Sequence, residues 1–80
     1  MRLDKFLKVS RIIKRRTVAN EACDAARVSV NGRPVKASYD VKVGDVLDIT
    51  FGQRLLKVRV KDVKEYTAKN DEALLYEVVE

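Results

Sequence analysis

The 80-residue chain contains no histidine, no tryptophan and only one cysteine. Without histidine it has no Ser-His-Asp triad, no imidazole ligand for zinc and no ordinary general base near neutral pH. Cys23 has no partner for an internal disulfide, which fits a reducing compartment, and its alanine-rich helical setting favours a structural cysteine over a nucleophile. Asp45 is expected to cap a turn and Asp48 to lie on a strand, so the two do not converge as a catalytic pair. The sequence therefore indicates a protein that is not an enzyme.

Long apolar runs and glycine-rich loops are also absent. No stretch approaches the roughly 20 apolar residues of a membrane-spanning helix, and no apolar segment follows the charged N-terminus as it would in a signal peptide. The three glycines lie in three separate turns and form no phosphate-binding loop. We expect a cytoplasmic, monomeric domain of residues 1–80 that binds no metal ion, no cofactor and no membrane.

Positive charge is plentiful and is concentrated in one half of the chain. The net charge is +5, but residues 1–40 carry ten Lys and Arg against four Asp and Glu, whereas residues 41–80 carry seven against eight. The first sixteen residues hold one acid, Asp4, and seven cations: Arg2, Lys5, Lys8, Arg11, Lys14, Arg15 and Arg16. This density predicts a polyanionic partner, with nucleic acid as the first candidate and a membrane surface as the second.

Helical periodicity covers the start of the chain. Leu3, Phe6, Leu7 and Ile13 recur at helical spacings, which predicts a helix from Leu3 to about Ile13 with Lys5, Lys8 and Arg11 opposite the apolar face. Because this face is needed for the protein's own core, it is not available to a membrane.

A second helix is predicted to begin at Thr17, a good N-cap residue, within TVANEACDAARV. One predicted stripe carries Val18, Ala22 and Ala25, and the buried side is expected to be mostly alanine and Cys23, whose short side chains allow close packing. Its polar side carries two acids: Glu21 and Asp24. The cations just before Thr17 then occupy the joint between the helices.

From Val28 onward the apolar residues alternate, as they do in strands. The Asn31–Gly32 pair between two short runs predicts a tight hairpin, and Pro34 places the second of those strands at a sheet edge. Two longer strands are predicted around Gly52–Gln53, and LLYEVV predicts a final strand after a polar loop over 64–73. The predicted fold is α+β, with two N-terminal helices packed on a small, bent antiparallel sheet of four to five strands.

The basic N-terminal segment has an ordinary explanation that is insufficient. Cations near a helix C-terminus gain about 0.3 to 1 kcal/mol from the macrodipole, which accounts for one of them but not for seven. The second of the two longer predicted strands carries a further basic strip, formed by Lys57, Arg59 and Lys61. This strip is better explained as protection against edge pairing. Binding to a polyanion is therefore assigned to the first segment.

About residues 2–50 resemble the RNA-binding domain named after ribosomal small-subunit protein four. The shared features are the opening RLDKFL, an arginine just before the second helix, the VSVNG segment and the VGD segment. Residues 51–80 are then expected to extend the same domain with further strands. The chain's shortness and its KVSRIIKRRT and FGQRLLKVRV segments make it most similar to the RqcP group, small bacterial relatives of heat-shock protein fifteen.

The resemblance implies a non-catalytic factor that binds ribosomal RNA of the large subunit when that subunit carries peptidyl-tRNA. It further implies support of C-terminal alanine tailing of stalled nascent chains in ribosome-associated quality control, beside a tailing factor on the same subunit. Two alternatives stay open, a structural ribosomal protein and the targeting module of an RNA-modifying enzyme. The second is disfavoured because eighty residues leave no room for a catalytic domain.

The resemblance also implies site residues. The RNA-facing positions fall on Arg2 and Arg16, and further phosphate contacts come from five other cations: Lys5, Lys8, Arg11, Lys14 and Arg15. Asp4 matches the acid of the opening motif and either orients Arg2 or simply occupies the first helical turn. Asn31 is assigned to the hairpin turn, with RNA contact as an open second role.

The chain departs from the family pattern at Ala26, where relatives often have a glycine that ends the second helix. An alanine in a left-handed cap is strained by about 1 kcal/mol. The sequence therefore leaves open whether the helix ends here in the same way.

Overall fold

The computed structural model describes residues 1–64 and 74–79. It contains two helices and five strands: α1 (Leu3–Val9), α2 (Arg16–Asp24), β1 (Val28–Val30), β2 (Arg33–Pro34), β3 (Val46–Phe51), β4 (Arg54–Val60) and β5 (Tyr76–Val78). All neighbouring strands are antiparallel, in the order β2-β1-β3-β4-β5. The predicted α+β fold is confirmed. Of the predicted loop over 64–73, all but the first residue lies outside the described residues.

One face of the sheet and the two helices enclose the core. Leu3, Phe6 and Leu7 of α1 are fully buried, as their spacing predicts. Strands β1, β3 and β4 supply six buried aliphatic side chains: Val28, Val30, Leu47, Ile49, Val58 and Val60. The alternation predicted for β3 and β4 is confirmed at Leu47, Ile49, Val58 and Val60, which are buried. Leu56 is half-buried, and the side chain of Phe51 lies outside the described part of the structure. Within residues 1–64 and 74–79, neither helix has the length and apolar character needed to cross a bilayer.

The Asn31–Gly32 hairpin is confirmed. Asn31 and Gly32 have φ values of 52° and 84°, so both central residues of the two-residue turn are left-handed, as a type I′ turn requires. The turn pairs β1 with β2, and Pro34 lies on the edge strand where its missing N–H is tolerated.

The first helix ends earlier than predicted. α1 stops at Val9, and Arg11 adopts a φ of 64° while its N–H bonds to the carbonyl of Lys8 at 3.0 Å. Ile13 still reaches the core, because its N–H bonds back to the carbonyl of Leu7 at 3.1 Å. The predicted end of the first helix at Ile13 is therefore wrong. Arg11 lies in a left-handed turn after α1 and not on the outer face of the helix.

The N-cap of the second helix lies two residues earlier than predicted. Arg15 occupies the N-cap position, no side chain makes a capping bond, and Arg16 is the first helical residue. Thr17 is exposed on the first turn, so the predicted Thr17 N-cap is wrong. This shift places Arg16 on the helix itself, where its side-chain direction is set by the helical backbone.

The buried face of α2 is partly rotated from the prediction: the burial of Cys23 is confirmed, whereas Val18 and Ala25 are exposed. Ala19 and Cys23, one turn apart, are buried, whereas Val18 is 46% exposed. The predicted stripe lines an open groove instead, where Val18, Ala22 and Ala25 lie near Ile13 and the β3–β4 turn. The two buried positions, Ala19 and Cys23, carry small side chains, which allows close packing of α2 against the core.

Cys23 has the structural role predicted for it. Its side chain is 4% exposed, and burial, with smaller contributions from the charges of Asp4 and Asp24, raises the pKa of the thiol to about 11. The thiol is therefore protonated at neutral pH and is a poor nucleophile.

The second helix ends on a left-handed alanine. Ala26 has a φ of 58°; its N–H bonds to the carbonyl of Cys23 at 3.0 Å, and the N–H of Arg27 bonds to the carbonyl of Ala22 at 2.9 Å. These are the two bonds of a Schellman cap. The helix thus keeps the usual glycine-type ending although the residue there is alanine.

We expect Ala26→Gly to stabilise the protein by about 1 kcal/mol. Glycine removes the left-handed strain of about 1 to 2 kcal/mol, but part of this gain is offset because glycine raises the conformational entropy of the unfolded chain. In a thermal melt this corresponds to an increase in Tm of about 4–8 °C. The matched control is Ala25→Gly, at a φ of −86°, which should lower stability. A loss of stability in Ala26→Gly would contradict the strain.

Candidate nucleic-acid interface

A buried carboxylate lies at the centre of the basic segment. Asp4, in the first turn of α1, is 3% exposed, and its Oδ1 accepts the backbone N–H of Lys5 at 2.8 Å. Arg2 Nε donates to Oδ1 at 3.2 Å, Arg16 Nε lies 3.3 Å from Oδ2, and Asn20 Nδ2 donates to Oδ2 at 3.4 Å. One carboxylate therefore joins the start of α1 to the first turn of α2.

Arg2 and Arg16 approach Asp4 with the same edge of the guanidinium group. In addition to Nε, each places Nη2 at 3.5 Å from the other carboxylate oxygen. A guanidinium has five N–H donors, so the end that carries Nη1 is not part of either contact. Both arginine side chains are about half exposed, at 51% and 46%. The pair can thus bind Asp4 and a second anion at once.

These contacts keep Asp4 ionised. Burial by itself would raise the pKa of Asp4, but hydrogen bonds from Arg2, Arg16, Asn20 and the N–H of Lys5 outweigh it, and the pKa lies below the usual 3.8. Asp4 therefore does more than the two roles that the sequence left open, since it contacts both arginines and also occupies the first helical turn.

The backbone of Arg2 is fixed from a second direction. Arg2 forms an antiparallel bridge with Asp40. On either side of it, the N–H of Leu3 donates to the carbonyl oxygen of Tyr39 at 2.8 Å, and the N–H of Val41 donates to the carbonyl oxygen of Met1. Residues 37–41 thus hold the start of the chain in place, so that Arg2 projects from an anchored backbone.

The other five predicted cations differ in their exposure to solvent. Lys5 is half-buried, and four cations are exposed: Lys8, Arg11, Lys14 and Arg15. Lys8 lies in the last turn of α1, where it also complements the helix dipole. The structure therefore brings Arg2 and Arg16 into contact with Asp4, and it leaves Lys8, Arg11, Lys14 and Arg15 exposed to solvent.

Asn31 belongs to a separate network. Its Oδ1 accepts the N–H of Val46 at 3.0 Å and its Nδ2 donates to Asp45 Oδ1 at 3.2 Å. Asp45 is 8% exposed and also accepts the hydroxyl of Tyr39 at 2.9 Å and the N–H of Lys42 at 3.0 Å. The predicted turn cap is correct, and the Asn31 side chain is engaged in holding the hairpin against the 42–45 turn.

Sequence reasoning missed Asn20. A signal was available, because Asn20 lies one helical turn after Arg16 and residues four apart share a helix face. The sequence predicts a polar face of α2 with Glu21 and Asp24, and a helix that begins at Thr17 leaves Arg16 outside it, so Arg16 and Asn20 are not placed on one face.

The second basic strip has acidic neighbours. Lys57 lies directly opposite Asp48 in the β3–β4 pair, and Arg59 forms an ion pair with Glu77 of β5 at 3.3 Å. These cross-strand pairs balance charge within the sheet. The predicted protection against edge pairing is wrong, because β4 is an inner strand that pairs with β3 on one side and β5 on the other.

The S4 domain family matches residues 1–47, which run from the N-terminus into β3. The chain is 54% identical to the RQC P-site tRNA stabilizing factor of Bacillus subtilis over 99% of this chain and 92% of that protein. It is 56% identical to the protein of that name from Streptococcus pneumoniae, over 99% and 90%.

A trimeric structure of Vibrio cholerae heat-shock protein 15 has the same fold. It superposes with a TM-score of 0.92 over 99% of this chain and 81% of that chain, at 24% sequence identity. The similarity extends past the S4 region to the strands that follow it.

Acid should remove the contribution of Asp4 to stability. Because its pKa is depressed in the folded state, that contribution is complete above about pH 4 and is lost as the pH falls through the folded-state pKa. We expect Asp4→Asn to be less stable than the unmodified protein by about 2 kcal/mol at pH 6, and the difference to shrink toward pH 2.5, in urea unfolding. Asp24→Asn, at an exposed acid of α2, is the control. A pH-independent difference for Asp4→Asn would contradict this.

Asn31 should contribute to stability through two separable effects. Asn31→Gly keeps the left-handed turn but removes the bonds to Asp45 and Val46, and should cost about 1 to 2 kcal/mol in urea unfolding. Asn31→Ala adds left-handed strain and should cost about 1 kcal/mol more. If Asn31→Gly leaves stability unchanged and lowers RNA affinity, the side chain acts at the RNA instead.

Proposed function

Because the chain belongs to the S4 domain family and, within it, to the family of RQC P-site tRNA stabilizing factors, we propose that it is a non-catalytic RNA-binding factor of ribosome-associated quality control. It docks on the large ribosomal subunit that carries peptidyl-tRNA, contacts ribosomal RNA and that tRNA, and supports alanine tailing of stalled nascent chains by a tailing factor on the same subunit. It acts in the cytoplasm as a monomer.

One observation carries the proposal at the level of residues. Arg2 and Arg16 are held on the buried carboxylate of Asp4 while half of each arginine side chain faces solvent. Further phosphate contacts come from Lys5, Lys8, Arg11, Lys14 and Arg15. Arginine suits such a site, because its planar fork binds a phosphate with two hydrogen bonds.

Recognition of RNA by shape fits the composition of the chain. Sequence-specific RNA readers usually stack unpaired bases on aromatic side chains, and aromatics make up only 6% of this chain, without tryptophan. Contacts to the backbone of folded RNA fix position rather than read sequence. A ribosomal site, which is unique by its three-dimensional fold, is a suitable target for this kind of binding.

Sucrose-gradient sedimentation of the tagged protein tests the proposal. We expect enrichment on free large subunits that carry peptidyl-tRNA, at far less than one copy per total subunit. A copy on every subunit would favour a structural ribosomal protein, and migration only with free transfer or messenger RNA would contradict the proposal.

Replacing Arg2 and Arg16 by lysine tests whether their planar guanidinium groups are needed for binding, because the positive charge is kept. Replacing both arginines by alanine would leave the buried carboxylate of Asp4 without its partners, so loss of folding would obscure the result. We expect Arg2→Lys with Arg16→Lys to fold and to bind large subunits about tenfold or more weakly, since lysine cannot form the fork. The dependence of affinity on salt, with a log–log slope of very roughly −3.5 to −4.5 for five phosphates, should change little.

The matched control replaces two exposed arginines of β4, Arg54→Lys with Arg59→Lys. It keeps net charge in the same way but lies outside the α1–α2 surface. Equal losses of affinity in both double variants would contradict the assignment of the interface to Arg2 and Arg16.

A further inference from the structure

Resting on the proposed function, we propose that Asp4 and Asn20 are positioning residues that hold Arg2 and Arg16 as a single two-pronged clamp for the phosphodiester backbone of RNA. The two guanidiniums are thus one binding element, and an acid at its centre is required for it. The role proposed for Asn20 depends on the hydrogen bond that its Nδ2 donates to Asp4 Oδ2.

The orientation of the forks supports the clamp. Arg2 and Arg16 contact opposite oxygens of the same carboxylate through Nε, at 3.2 and 3.3 Å, and each adds Nη2 at 3.5 Å. This leaves the Nη1 end of each guanidinium outside the contact with Asp4. Two half-exposed forks that share one buried anchor can present their outer ends to one RNA strand, where each end matches phosphate oxygens.

The central acid solves an electrostatic problem. Two guanidiniums held side by side repel each other, and that repulsion is stronger next to a poorly hydrated interior than in water. The carboxylate of Asp4 lies between them and is 3% exposed, so it neutralises the repulsion from the protein side. Phosphates approach from the solvent side, where the arginines screen them from the acid.

The anchor also lowers the entropic cost of binding. A free arginine side chain loses considerable rotamer freedom when it binds, whereas Arg2 and Arg16 are already held in the free protein. Asn20 contributes by donating to Asp4 Oδ2 at 3.4 Å, the oxygen that also lies 3.3 Å from Arg16 Nε. It therefore fixes the plane of the carboxylate rather than touching RNA.

Asp4→Asn separates positioning from net charge, because the two effects have opposite signs. The variant adds one positive charge to an RNA-binding surface, so charge alone predicts tighter binding. The clamp predicts weaker binding, by about tenfold. The matched control is Asp24→Asn, which makes the same chemical change at an exposed acid of α2 and should bind equally well or slightly tighter.

The measurement is equilibrium binding to purified bacterial large ribosomal subunits and, in parallel, to bulk transfer RNA, each at two salt concentrations. Asn20→Ala, which leaves net charge unchanged, should weaken binding about two- to threefold. Equal or tighter binding of Asp4→Asn than of the unmodified protein would overturn the clamp. If the unmodified protein binds transfer RNA but not subunits, the proposed function fails, while the ratio between variants on transfer RNA still decides the clamp.

A second readout does not depend on RNA. In ¹⁵N NMR spectra of the free protein, the Nε–H signals of Arg2 and Arg16 should exchange slowly with solvent and should become fast in Asp4→Asn. Rapid exchange of both signals in the unmodified protein would overturn the clamp even if RNA binding is intact. If Asp4→Asn is too unstable to study, the exchange rates of the Nε–H signals in the unmodified protein still test the clamp.

Discussion

The buried carboxylate of Asp4 is the interaction on which the arrangement of the N-terminal half depends. It is 3% exposed and accepts hydrogen bonds from α1, from the first turn of α2 and from the residue that precedes α1. A charge at that depth is tolerated only when it is paired, so the positions of Arg2 and Arg16 are coupled to folding itself. The proposed RNA-binding arginines are therefore part of the structure of the domain as well as of its surface.

Short helices with tight ends make this coupling possible. α1 has seven residues and α2 has nine, and both end at a non-glycine residue with positive φ, Arg11 and Ala26. Each such residue carries strain of about 1 to 2 kcal/mol, which the packing around it must offset. In return the chain turns sharply after α1, and the joint of Lys14 and Arg15 lies beside the start of α2.

The strands supply a rigid support for this cationic end. The I′ hairpin, the Asn31–Asp45 network and the bridge between Arg2 and Asp40 connect the sheet to the start of the chain through residues 37–41. A protein that binds RNA by shape needs its cations at fixed distances, because positioning contacts to phosphate are useful only when their geometry is preserved. The basic strip on β4, by contrast, is balanced by acids across the strands.

Local patterns in the sequence were sufficient for the fold class, the Asn31–Gly32 hairpin, the alternating core residues of β3 and β4, and the final strand. Each of these depends on neighbours within a few residues, where spacing and turn chemistry dictate the backbone. The sequence also pointed to Arg2, Asp4 and Arg16, although only through a family resemblance and without the contact that joins Asp4 to Arg16.

What only the tertiary structure decided involves partners that are distant along the chain. The end of α1 at Val9, the rotation of α2 that buries Ala19 and exposes Val18, and the meeting of Asp4 with Arg16 and Asn20 all result from packing one helix against the other. Helical periodicity specifies which residues share a face, but burial is decided by the neighbour that arrives there. A carboxylate whose partners lie 12 and 16 residues away cannot be paired from spacing alone.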